Sequence, residues 1–93
     1  MVVGILSLEI LIPGALSLKD KRKIVKSITD RLSHKFNVSV AETGYQDKWQ
    51  RSALTVALVS QNKAFVEKSL NTIFDFLDKE SAFEIIQFNY SYC

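Results

Sequence analysis

A single cysteine, Cys93, stands at the last position of the 93-residue chain. One thiol closes no intrachain disulfide, and neither a CxxC pair nor a cysteine-rich metal cluster can be drawn from it. That scarcity fits a reducing cytosol, and the thiol is expected to be free and mobile. One proline and three glycines leave no room for a flexible linker, so residues 1–93 read as one domain. The only histidine, His34, falls on the exposed side of a helix among basic residues. It has no nucleophile to activate, so no catalytic residue is assigned. Gly4, Gly14 and Gly44 are scattered singly and form no phosphate-loop spacing. Carboxylates are too few in any one place for an oxygen-ligated metal site, and no cofactor is implied. Met1 runs into Val2-Val3-Gly4-Ile5-Leu6 with no basic leader and no small-residue cleavage site. Glu9 then interrupts the apolar run, so the stretch reads as a strand and not as a signal peptide or a membrane span.

What the chain does have is an ordinary globular balance, 47% hydrophobic and 24% charged residues, with no sign of disorder. A domain this small buries a modest share of its surface, and a partner subunit would add to its stability. Net charge is only +2, yet it is unevenly spread. Residues 19–35 hold seven Lys and Arg against Asp20 and Asp30, a local balance of +5 that leaves −3 for the remainder. Such a segment suits an anionic partner facing one helix.

The apolar pattern alternates with period two over residues 2–12, giving a first strand with Leu6, Leu8, Ile10 and Ile12 on one face. Pro13-Gly14 ends it. Ser17 is the expected N-cap of helix one, with Asp20 three residues on. At about 100° per residue, Leu18, Ile24, Val25, Ile28, Leu32 and Phe36 form the buried stripe. Lys21 projects into that stripe, where a lysine must snorkel outward or meet a carboxylate. A second strand starts at Asn37, with Val38, Val40 and Glu42 on one face. Gly44–Asp47 is a loop, and a third strand runs from about Trp49 to Ser60, with Leu54, Val56 and Leu58 inward. Asn62 caps helix two, whose apolar stripe is Val66, Leu70, Ile73, Phe74 and Leu77. Residues 83–90 form the last strand. The order β-α-β-β-α-β predicts an α+β, ferredoxin-like fold: a four-stranded antiparallel sheet in order 4-1-3-2 with two helices on one face.

This topology predicts three surfaces. Lys19, Arg22, Lys23 and Lys26 form an outward basic stripe on helix one, the candidate nucleic-acid contact through phosphates. Lys21, Glu42, Asp47, Trp49 and Gln50 gather at the edge where helix one begins. Lys21 is expected to pair with Glu42 or Asp47 there. That edge reads either as a satisfied polar rim around a partly buried Trp49, the simpler reading, or as a small-ligand site using the helix N-terminus. The uncovered sheet face carries Val3, Ile5, Leu11, Ala41, Ala53, Ala57, Val59 and Ile85, and is expected to pack against a second copy as a two-fold homodimer. It has no aromatic at the central-strand positions on which RNA-recognition sheets stack bases, so RNA binding across that face is not expected.

Three ordered motifs carry a family resemblance: Leu16-Ser17-Leu18-Lys19-Asp20-Lys21-Arg22, Phe36-Asn37-Val38-Ser39-Val40-Ala41-Glu42, and Asp47-Lys48-Trp49-Gln50. Together they resemble the YlxP-like family of small bacterial proteins, along almost the whole chain. That family is classed as a domain of unknown function with a ferredoxin-like fold. Its genes often lie near those for transcription-elongation, translation-initiation and ribosome-maturation factors. The resemblance therefore implies a cytoplasmic role near RNA or the ribosome, and carries over no catalytic residues. The departures lie in the C-terminal part, here ending Phe88-Asn89-Tyr90-Ser91-Tyr92-Cys93.

Overall fold

A computed structural model describes residues 1–93. The chain forms β1 (Val2–Leu11), α1 (Leu18–Lys35), β2 (Ser39–Gly44), β3 (Arg51–Ser60), α2 (Lys63–Asp78) and β4 (Glu84–Tyr92). The strands lie in the order β2-β3-β1-β4, which read from the other edge is the expected 4-1-3-2, and every neighbouring pair is antiparallel. The layers are one sheet and two helices, as two helices can cover only one sheet face.

Alternation decides what meets the helices. Leu6, Leu8 and Ile10 of β1 and Leu54, Val56 and Leu58 of β3 point into the core, where they join Val25, Ile28 and Leu32 of α1 and Val66, Leu70, Ile73 and Leu77 of α2. Packing is tight at Gly4: a methyl there would run into Val66, so the absent side chain is what lets α2 settle onto β1. Both helices open on the expected caps. The Ser17 hydroxyl accepts from Asp20 N–H at 3.1 Å, and the Asn62 side chain accepts from Phe65 N–H at 3.0 Å. Asp20 in turn accepts from the N–H of Leu16, one residue before the cap, at 3.1 Å.

The strand ends depart from the alternation pattern. Ile12 has left the ladder of β1, although its N–H still donates to Gln50 C=O at 2.8 Å. Asn37 and Val38 belong to the turn out of α1, because Val38 N–H bonds back to Phe36 C=O. Trp49 and Gln50 lie in a bend before β3. Ile85 is corrected outright. The register passes from Glu9 opposite Gln87 to Ile10 opposite Ile85, so Ile86 is an extra residue. This bulge turns Ile85 toward the helices, where it packs on the core, and leaves Ile86 exposed. The Cys93 thiol is free and the residue exposed, while its backbone N–H and C=O both pair with Val3, at 2.9 and 3.0 Å.

Candidate functional site

The edge where α1 begins is built around a buried lysine. Lys21 is 1% exposed, and its Nζ reaches Glu42 Oε2 at 2.9 Å and donates to the Tyr45 carbonyl. The same carboxylate oxygen accepts from the Ser52 hydroxyl at 2.6 Å, and Ser52 is itself buried. A charge removed from water needs such partners. The helical angle of Lys21 foretold the carboxylate but not Ser52, nor the backbone acceptor. Ser52 follows the unbroken alternation of β3, in phase with Leu54, whereas the loop with the backbone acceptor follows a second bulge, where Glu42 faces Leu54 and Gly44 faces Ala53, leaving Thr43 as the extra residue. Immediately after it Tyr45 takes φ 58°, a left-handed conformation uncommon for a residue with a side chain. Its carbonyl thereby serves both Lys21 Nζ and Lys48 N–H.

Of the remaining edge residues, Asp47 is exposed and stands outside this network. Gln50 ties the loop down from the other side, its Nε2 donating to Ala15 C=O at 3.1 Å and Pro13 C=O at 3.3 Å. Trp49 is 54% exposed, and so is no partly buried centre of a rim. It lines, with Leu11, Tyr45, Lys48, Gln50 and Arg51, an open cleft of about 550 Å³. The sheet shapes this cleft through a group that the sequence did not single out. Glu9 accepts from Arg51 at 2.9 Å and from the Tyr45 hydroxyl at 3.1 Å, and the Arg51 guanidinium lies 4.4 Å over the Tyr45 ring. The Arg51 hydrogen bond, helped by that of Tyr45, holds the Glu9 carboxyl below its ordinary value. Glu9 likewise pushes the Arg51 pKa up. Register offers the signal that was missed: Glu9 and Arg51 are open-face residues near the same end of adjacent antiparallel strands.

The helix stripe lies elsewhere. Lys19, Arg22, Lys23 and Lys26 are all exposed on α1. Only Lys26 has an acidic partner, Asp30 at 2.8 Å one turn on. Arg31 is spent on Glu80, and Lys35 lies over the rings of Phe36 and Phe76. His34 is exposed. The open sheet face divides in two. Val3 opposite Val59 and Ile5 opposite Ala57 make an apolar half, and the Glu9, Arg51 and Tyr45 cluster makes a polar half. No cluster of three or more His, Cys, Asp or Glu is placed to hold a metal ion, and no helix is long and apolar enough to cross a membrane.

Residues 3–90 match the family described as "Protein of unknown function (DUF503)". The chain is also similar to the uncharacterized protein YlxP of Bacillus subtilis (strain 168), being 43% identical over 76 residues that cover 82% of this chain and 83% of that one. The family match takes in the positions of the buried lysine, its carboxylate, the tryptophan loop and the basic stripe. The chain belongs to the DUF503 family, the YlxP-like proteins of unknown function.

Proposed function

We propose that the protein is a non-enzymatic, cytoplasmic, dimeric module that docks on RNA or on the RNA of the ribosome through the outward face of α1. The observation that carries this reading is the stripe of Lys19, Arg22, Lys23 and Lys26. Four cations stand on one exposed helix face and only one is neutralised within the chain. Their spacing of three and four residues aligns them along the helix, which suits a row of phosphates and carries no means of reading bases. The two-fold dimer joins through the apolar half of the open sheet face and presents two such stripes, so that modest contacts add through avidity.

Binding of the intact protein to structured RNA and to ribosomes should be detectable at low salt and fall steeply as salt rises. Replacing Lys19, Lys23 and Lys26 together by Ala should weaken it and flatten the slope of log Kobs against log salt by about 2–3. Absence of binding by the intact protein at low salt would remove the proposal. The alternative is a small-ligand or regulatory domain with its pocket among Lys21, Glu42, Asp47, Trp49 and Gln50. It has less to work with, because Lys21 and Glu42 are engaged with one another and with Ser52. Trp49 and Gln50 remain open to solvent, in the cleft on the sheet side.

A further inference from the structure

The loop that carries Trp49 is fastened at several points, and its own indole is not one of them. Lys21 holds the Tyr45 carbonyl. The turn closes by Lys48 N–H on that same carbonyl at 3.0 Å, and Gln50 C=O receives Ile12 N–H at 2.8 Å. Gln50 Nε2 grips the Pro13–Ala15 segment, and the Tyr45 hydroxyl is bound to Glu9. An aromatic of this size normally contributes its area to a core, yet here it is 54% exposed on a rigid support. Lys48 beside it is exposed and takes part in no ion pair.

We infer that the cleft of Leu11, Tyr45, Lys48, Trp49, Gln50 and Arg51 binds a single nucleotide unit, its base stacked on the Trp49 indole and its phosphate on Lys48. The lining contains no carboxylate. Glu9, which bonds to two of the lining residues, is neutralised by Arg51, so Lys48 is left as the unpaired charge of the lining and favours an anion. Indole and the Leu11 side chain offer the flat apolar surface on which a base stacks, a contact indifferent to sequence. The cleft volume of about 550 Å³ lies within the range of small-molecule sites. Gln50 has both its Nε2 bonds committed to backbone carbonyls, which leaves its Oε1 as the acceptor for an exocyclic amine of the base. The nucleotide is either free or an unpaired residue of an RNA, the chemistry of recognition being the same. The site stands on the sheet side of the molecule and does not depend on the α1 stripe.

Trp49 is the only tryptophan, so its fluorescence reports on this cleft alone. Titration with AMP, with GMP and with a short single-stranded oligoadenylate should quench it saturably, while inorganic phosphate should not. Saturable quenching by the oligonucleotide alone identifies RNA as the source, and quenching by a mononucleotide identifies the free ligand; either supports the site. Lys48→Ala should weaken binding roughly tenfold, the worth of one charge-assisted hydrogen bond, with an unchanged circular dichroism spectrum. Trp49→Ala should abolish binding of radiolabelled nucleotide in equilibrium dialysis. The Lys19, Lys23 and Lys26 triple Ala variant should bind mononucleotide as the parent does, even if its RNA affinity is lost. Three results would overturn the inference: linear quenching no stronger than that of free tryptophan amide, an affinity unmoved by Lys48→Ala, or an emission that shifts to the blue with protein concentration alone, which would show a second copy filling the cleft.

Discussion

At the scale of single residues, Lys21 is the side chain on which most depends. It joins α1, β2 and the loop before β3 through Glu42 and the Tyr45 carbonyl, in a place where water cannot take over either role. Removing one member of a buried pair is costly because the other is left charged and unpaired. Lys21→Met should therefore destabilise by roughly 3 kcal/mol, the lower end of the usual range, because the Glu42 side chain keeps 19% of its exposure and retains Ser52. Lys21→Met combined with Glu42→Leu should cost less than Lys21→Met alone, as read from urea midpoints. If the double variant is as unstable as the sum of the singles, the two side chains are not coupled. The sequence made Lys21 visible because a helical angle is a geometric certainty once the helix is placed. Ser52 keeps step with Leu54 and Val56 and was open to being read as an inward-facing hydroxyl. The Tyr45 carbonyl was not visible because a bulge precedes it, and no period-two count contains a bulge. The same limit hid the inward turn of Ile85.

At the scale of elements, caps and ion pairs fix where each helix and strand starts and how its neighbours hold it. The beginning of α1 was legible since Ser17 and Asp20 are three apart, and capping requires little beyond that spacing. The strand beginnings were less so, because Val38 and Gln50 are held by turn and loop bonds that apolar pattern does not encode. Ser17→Ala should cost about 1 kcal/mol, which in a domain of this size lowers the thermal midpoint by about 4–8 °C. Ser17→Asp should restore most of it, since a carboxylate caps and also meets the positive helix end. Between β1 and β3, Glu9 and Arg51 form an ion pair across the strands at 2.9 Å. The carboxyl of Glu9 is held below its ordinary value in the folded chain. Its contribution is thus complete above the unfolded value of about 4.3 and fades as pH falls through the lower folded one. Denaturation midpoints measured from pH 6 down to pH 2 should fall less steeply in Glu9→Gln than in the parent, and Tyr45 and Arg51 should lose their order in the cleft with it. Equal slopes would show that Glu9 has no part in the acid response.

At the scale of the whole molecule, the two proposed contact surfaces lie on faces that point in different directions. The helix layer presents the basic stripe, while the far end of the sheet presents the tryptophan cleft. Between them, the open face is unequal along its length, and that inequality selects where a second copy would sit. Near the cleft, the charges of Glu9 and Arg51 oppose burial. At the other end, Val3, Ile5, Ala57 and Val59 stand together with no charge among them, Val59 being 59% exposed. Small and branched side chains there let a second sheet approach closely, and a two-fold axis through that half would leave both clefts at the rim, open to solvent. Ile5→Lys tests this directly. In a monomer the substitution places a lysine on a solvated surface at little cost; in a dimer it buries two like charges across the axis. Light scattering at micromolar concentration should give twice the 10.6 kDa of one chain for the parent and a single chain for Ile5→Lys, with the circular dichroism spectra superimposable. RNA affinity should drop in the monomeric variant through lost avidity while nucleotide binding at Trp49 stays as it was, because the first needs two stripes and the second needs only one cleft. A parent protein of single-chain mass at every concentration would show that the apolar half tolerates water unaided, and would confine the function to one stripe and one cleft per particle.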